Sequence, residues 1–235
     1  MKKNNFVIGI LGGMGTYATI NMFQEYAKVF PAIKEWDRPR IIIDNRCTMP
    51  SRVRAYLYHE KTDELINEMT ESMEYLSNAG CTRIILACMT SHLFLPQIYE
   101  KVPNIKNKVI NLIDNCALYI KKDNIKNVYL LGSEGTIESK IFQNVLNNYG
   151  IKCNVPSEED YAFMRDCIEA VKQNKYNEMV KNKFLNLINR SNNIILGCTE
   201  LPILYQKYKD NITSQNIYDP LSLGLETLRK EYEND

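Results

Sequence analysis

Two stretches decide the reading of this chain: Ile8–Thr16, IGILGGMGT, and Tyr129–Thr136, YLLGSEGT. Each is an apolar run that breaks into a glycine turn. Gly12, Gly15 and Thr16 fall on Gly132, Gly135 and Thr136 at an offset of 120 residues. Further along, Arg83–Cys88 (RIILAC) resembles Asn193–Cys198 (NIILGC) at an offset of 110. Both pairs occur in the same order. The chain therefore reads as two similar halves, each with a glycine turn after its first strand and a cysteine ending a later one.

Working outward, short apolar runs alternate with longer amphipathic stretches. The strand-like runs are Phe6–Leu11, Arg40–Asp44, Arg83–Cys88, Val109–Ile113, Asn127–Leu131, Ile151–Val155, Asn193–Gly197 and Asn216–Tyr218. Several are apolar throughout, as strands covered by helices on both faces are. Thr62–Asn78 places Leu65, Ile66, Met69, Met73 and Leu76 on one helical face, with Asp63 and Glu64 in its first turn. Ser157 to Asp160, after Pro156, is a helix start. Strand–helix alternation predicts an α/β fold with parallel sheets.

Composition excludes whole classes. The 235 residues contain 29 basic and 28 acidic side chains, so no basic excess drives nucleic-acid binding. No apolar run reaches the ~20 residues of a membrane span. Phe6–Leu11 is shorter than the ~7–15 residues of a signal-peptide core, and a first strand is expected there instead. Seven cysteines without a CxxC pair argue for a reducing, cytoplasmic setting. His59 and His92 lie far apart, and no cluster has zinc-ligand spacing. No zinc site is expected.

The chemistry-bearing residues gather around two cysteines. Cys88 and Cys198 each follow a buried-strand run and precede a helical stretch, where backbone N–H groups favour a thiolate. A thiolate can act as a base and a thiol as an acid. Thr90 and Thr199 follow closely and can cap a helix or hold an anion. His92 and Glu200 stand beside the cysteines, to relay protons or to serve as satisfied structural groups. The turn Gly12–Thr16, with Met14 and Gly15, lets backbone approach a ligand. It also fits a loose GxGxxG/A pattern with Asp44 ending the second strand, which keeps a nicotinamide oxidoreductase as a rival. Arg52, in the Asn45–Arg54 loop, can grip a carboxylate with two nitrogens.

With these residues in hand, GILGGMGT…AT, the PSR around Arg52, ACMTSH around Cys88 and GCTEL around Cys198 resemble the cofactor-independent aspartate/glutamate racemases of the Asp/Glu/hydantoin racemase superfamily. The likeness runs from Ile8 to about Leu221. It implies two α/β domains related by a pseudo-two-fold axis, with the active site in the cleft between them. It implies domains at 1–114 plus 219–235, carrying Cys88, and at 115–218, carrying Cys198. One cysteine would remove the Cα proton of a free, acidic amino acid and the other would deliver a proton to the opposite face. Thr90 and Thr199 would hold the α-carboxylate and Arg52 the side-chain carboxylate, with Met14, Gly15, Met89 and Glu200 lining the substrate. A homodimer is implied. Three positions depart from the family pattern: Met89 replaces its asparagine, Thr16 its proline and Ser51 its aspartate. Met89 removes a polar contact, which favours a substrate other than plain aspartate, or a homologue that binds an amino acid without turning it over.

Overall fold

The computed structural model describes residues 5–212 and 215–234. The chain divides into two compact units, residues 1–112 with 221–235, and residues 113–220.

In the first unit, β1 (Val7–Gly12) lies between β2 (Arg40–Asn45) and β3 (Arg83–Leu86), all parallel. Every residue of β1 is buried. Side chains alternate along a strand. Val7 and Leu11 therefore join the apolar cluster formed with α3 (Thr62–Asn78) and α4 (Leu95–Lys101), while Ile8 and Ile10 point the other way. That other face is covered by α1 (Thr16–Val29) and by the C-terminal helix at Pro220–Asn234. A Cβ on Gly224 of that helix would meet the terminal methyls of Leu112 at 2.3 Å and Ile85 at 3.1 Å, so the helix packs closely on these two side chains. Tyr232 packs its ring against Phe6 and Phe30, and Arg83 pairs with Glu231. A short helix α2 (Arg52–Tyr58) is capped by Ser51, whose hydroxyl accepts from the Arg54 amide.

In the second unit the order is β5 (Lys152–Asn154), β4 (Asn127–Leu131), β6 (Asn193–Leu196), β7 (Asn216–Tyr218), again parallel. Here α5 (Leu112–Lys122), α6 (Glu134–Glu138) and α7 (Ile141–Asn148) are followed by α8 (Tyr161–Lys172), α9 (Glu178–Ile188) and α10 (Leu201–Tyr208). Phe184, Leu187, Val171 and Leu204 from these helices pack on Leu131, Ile194 and Leu196. The C-terminal helix, Pro220–Asn234, is α11.

The internal repeat is visible in the hydrogen-bond register. Leu11 pairs with Leu86 and Leu131 with Leu196. The ladder then continues identically, with Ala87 N–H donating to Leu11 O at 2.9 Å and Gly197 N–H to Leu131 O at 2.6 Å. One expectation is corrected. Val109–Ile113 is not a strand. Val109 makes a single parallel bridge to Ile84, where β7 pairs along three residues of β6, and Leu112 already opens α5. The run is apolar because Leu112 and Ile113 are buried in a helix. The cysteine-bearing strands are also shorter than expected: β3 and β6 stop two residues before their cysteines.

Candidate active site

In each unit the central strand has a neighbour on either side reached by opposite crossovers, so the chain reverses direction there. Parallel sheets bind ligands outside the carboxyl ends of the strands at that reversal. In the first unit it lies between β1 and β3, where Gly12–Gly15 and Cys88 emerge. In the second it lies between β4 and β6, where Gly132 and Cys198 emerge.

The first turn is held tightly. Gly13 has φ +80°, and a Cβ there would stand 2.3 Å from the Arg46 carbonyl carbon. Its N–H donates to Thr19 Oγ1 at 3.1 Å, and that hydroxyl donates to Gly15 O at 3.2 Å. Gly15 is the N-cap of α1. Met14 is buried in the core cluster, so its side chain belongs to the fold; its carbonyl accepts from Arg52 Nη2 at 2.6 Å. Arg52 Nη1 donates to Pro50 O at 3.0 Å, and Nε is buried with no partner. The guanidinium thus ties the glycine turn to the loop after β2. Thr16 places its hydroxyl 3.4 Å from the exposed Cys47 sulfur. Asp44 accepts from Ser72 Oγ at 2.5 Å, so the acid that a nicotinamide site would use for a ribose is engaged with α3.

Cys88 is half-buried. Its carbonyl accepts from Ser91 Oγ at 2.6 Å and from His92 Nδ1 at 3.1 Å. His92 Nδ1 also reaches Met89 O at 3.1 Å, and Nε2 lies 3.3 Å from the Leu112 amide. Carbonyls only accept and an amide only donates, so Nδ1 carries the proton and Nε2 accepts. Both nitrogens are spent. Burial pushes His92 down to about 4, against the pull of the two carbonyls. Of its two sequence readings the structural one holds: His92 is a neutral strut. Met89 is buried, and Thr90 opens a 3₁₀ turn, Thr90–Phe94, within which it too is buried.

Cys198 is also half-buried, but its surroundings are charged. Its thiol donates to Glu200 Oε2 at 2.9 Å, and the Thr199 hydroxyl reaches the same oxygen at 3.4 Å. Thr199 and Glu200 are buried. Lys172, in the last turn of α8, is the residue the sequence reading missed. Burial works against its charge, but the Glu169 carboxylate at 2.8 Å and the fields of Glu200 and Cys198 overcome this and hold the ammonium above the ordinary lysine value. No local motif marks it. Only the fold puts its charge within the field of Glu200 and Cys198.

The remaining cysteines differ in kind. Burial pushes the thiols of Cys81 and Cys116 up, and those of Cys153 and Cys167 up to about 12. Cys81, Cys116 and Cys167 are buried filling, while Cys153 is half-buried on β5.

The sequence model of the family described as Asp/Glu/hydantoin racemase matches residues 11–228. The chain belongs to that family. It is 27% identical over 207 residues to the broad specificity amino-acid racemase RacX of Bacillus subtilis, covering 83% of this chain and 86% of that protein. It is 26% identical over 178 residues to the glutamate racemase of Staphylococcus haemolyticus, of which the match covers 63%. In three dimensions it resembles the aspartate racemase of Picrophilus torridus, with TM-score 0.83, 26% identity and coverage of 97% and 94% of the two chains. The fold is also that of the glutamate racemase of Francisella tularensis solved with D-glutamate, at TM-score 0.68 and 18% identity over 99% and 82% of the chains. Membership in this racemase family supports an isomerase acting on amino acids.

Proposed function

We propose that this family member racemises a free amino acid without pyridoxal phosphate, using Cys88 and Cys198 as acid and base on opposite faces of Cα. The supporting observation is their equivalence: each stands two residues beyond a register-matched strand at the reversal point of its own sheet. Racemisation removes a proton from a very weak carbon acid and returns one to the other face. Two sulfurs do this with two proton transfers, one onto the thiolate and one off the opposite thiol, and no redox change. The half that starts as thiolate takes the Cα proton, the electron pair stays on Cα, and the opposite thiol releases its proton there.

In this reading Thr90 and Thr199, with adjacent amides, hold the α-carboxylate. Donors aimed where negative charge develops lower the barrier most when water is excluded. The glycine turn at Met14–Gly15 brings backbone to the substrate. Arg52 steers acidic side chains, although two of its nitrogens are bound to Pro50 and Met14 carbonyls. Met89 contributes an apolar wall where a polar one suits aspartate, which favours a bulkier or less polar substrate. A cytoplasmic homodimer acting without metal or nicotinamide completes the proposal.

The test is incubation in D₂O with L-aspartate, L-glutamate and a panel of other L-amino acids, followed by chiral chromatography and mass spectrometry. D-enantiomer carrying Cα deuterium is expected. Cys88→Ala and Cys198→Ala are each expected to abolish racemisation, while each keeps Cα exchange with one enantiomer only. Full turnover in either variant overturns the two-base assignment. Tight binding of an amino acid without any deuterium entering it makes the chain a binding homologue instead.

A further inference from the structure

The two half-sites match in register and differ in chemistry. The offset of 110 that carries Cys88 onto Cys198 carries Thr90 onto Glu200. Only the second half therefore sets a carboxylate beside its thiol, with Cys198 donating to Glu200 Oε2 at 2.9 Å. Among the described residues the Cys88 sulfur has no such acceptor, and the imidazole behind it is spent on two carbonyls and the Leu112 amide. A carboxylate accepting from a thiol favours S–H over thiolate, because the thiolate would face a like charge. Lys172 acts in the opposite sense and limits the cost when the thiolate forms.

We propose that Glu200 is a positioning residue for Cys198 alone: it aims the S–H and keeps that sulfur protonated at rest, so that Cys88 opens the reaction as base and Cys198 as acid. This rests on the two-base reading. The Cys88 thiolate takes the Cα proton and becomes S–H. The Cys198 S–H gives its proton to the opposite face and is left as thiolate beside Glu200, in the field of Lys172. Exchange with water returns a proton to Cys198 and takes one from Cys88.

The experiment is alkylation of the full chain with iodoacetamide over a pH series, resolved by peptide mass spectrometry and requiring no turnover. In the wild type, Cys88 is expected to react at lower pH than Cys198. Glu200→Gln removes the negative charge and leaves Lys172, so Cys198 alkylation at neutral pH is expected to rise roughly tenfold, with Cys88 unchanged. Lys172→Met is expected to slow Cys198 and again spare Cys88. A purely structural role would move both thiols together or neither. Unchanged or slower Cys198 alkylation in Glu200→Gln overturns the proposal. Should that variant fail to fold, Glu200→Asp, which keeps the charge but draws it back from the sulfur, takes its place: faster Cys198 alkylation with Cys88 unchanged is expected, and no change overturns the proposal. Racemisation by the single-cysteine variants reads the two-base mechanism separately, so either idea can fall without the other.

Discussion

At the scale of single residues, His92 shows how burial assigns a role. Sequence offers it as a proton relay beside Cys88. The structure gives it two carbonyls and an amide, and a value of about 4 against the ordinary 6.5. The fold thus prefers the neutral ring. Its contribution is fully present above pH 6.5, declines as the pH falls from 6.5 to about 4, and declines no further below. The difference corresponds to about 3 kcal/mol. Urea denaturation from pH 7 to pH 4 is expected to show this loss in the wild type and a smaller one in His92→Gln, which has no proton to gain. Equal losses in both would mean that His92 titrates normally. Arg52 and Lys172 mark two limits of residue-level reading. The sequence shows a guanidinium but not the carbonyls that hold it, and it shows a lysine among many with nothing to set it apart.

Elements were the more legible level. The helix at Thr62–Asn78 has the extent its periodicity predicts, because one buried face and an acidic first turn agree. Asn127–Leu131 and Asn216–Tyr218 are strands with the expected limits. Val109–Ile113 fails for an identifiable reason: a short, mostly apolar run is equally the start of a buried helix, and α5 takes Leu112 and Ile113. Caps follow local chemistry. The Asn177 side chain accepts from the Val180 amide at 2.9 Å at the start of α9. Asn177→Ala is expected to cost about 1 kcal/mol by thermal denaturation, leaving secondary structure intact. A change below a few tenths of a kcal/mol would show that the first turn of α9 frays in any case.

At the scale of the molecule, the chain leaves its first unit after Leu112 and returns at Leu221. The returning helix belongs to the first unit's core through Gly224 against Leu112 and Ile85, Tyr232 against Phe6 and Phe30, and Glu231 with Arg83. Truncation after Pro220 is therefore expected to strip hydrogen-exchange protection from β1 and β3 while β4 and β6 keep theirs. Loss of protection in all four strands together would mean that the units unfold as one.

The sequence by itself determined the alternation of strand and helix, the repeated order of glycine turn and cysteine, and the family. Each of these is a local pattern of side-chain type, and local patterns survive in one dimension. Only the tertiary structure decided which polar groups are already satisfied. It spent His92 on backbone and engaged Asp44 with Ser72. It tied Arg52 to the glycine turn, and it set Glu200 against one cysteine, with the charge of Lys172 in the same field, and not against the other. Burial and partnership depend on segments dozens of residues apart, and these two properties fix whether a side chain is chemistry or scaffold.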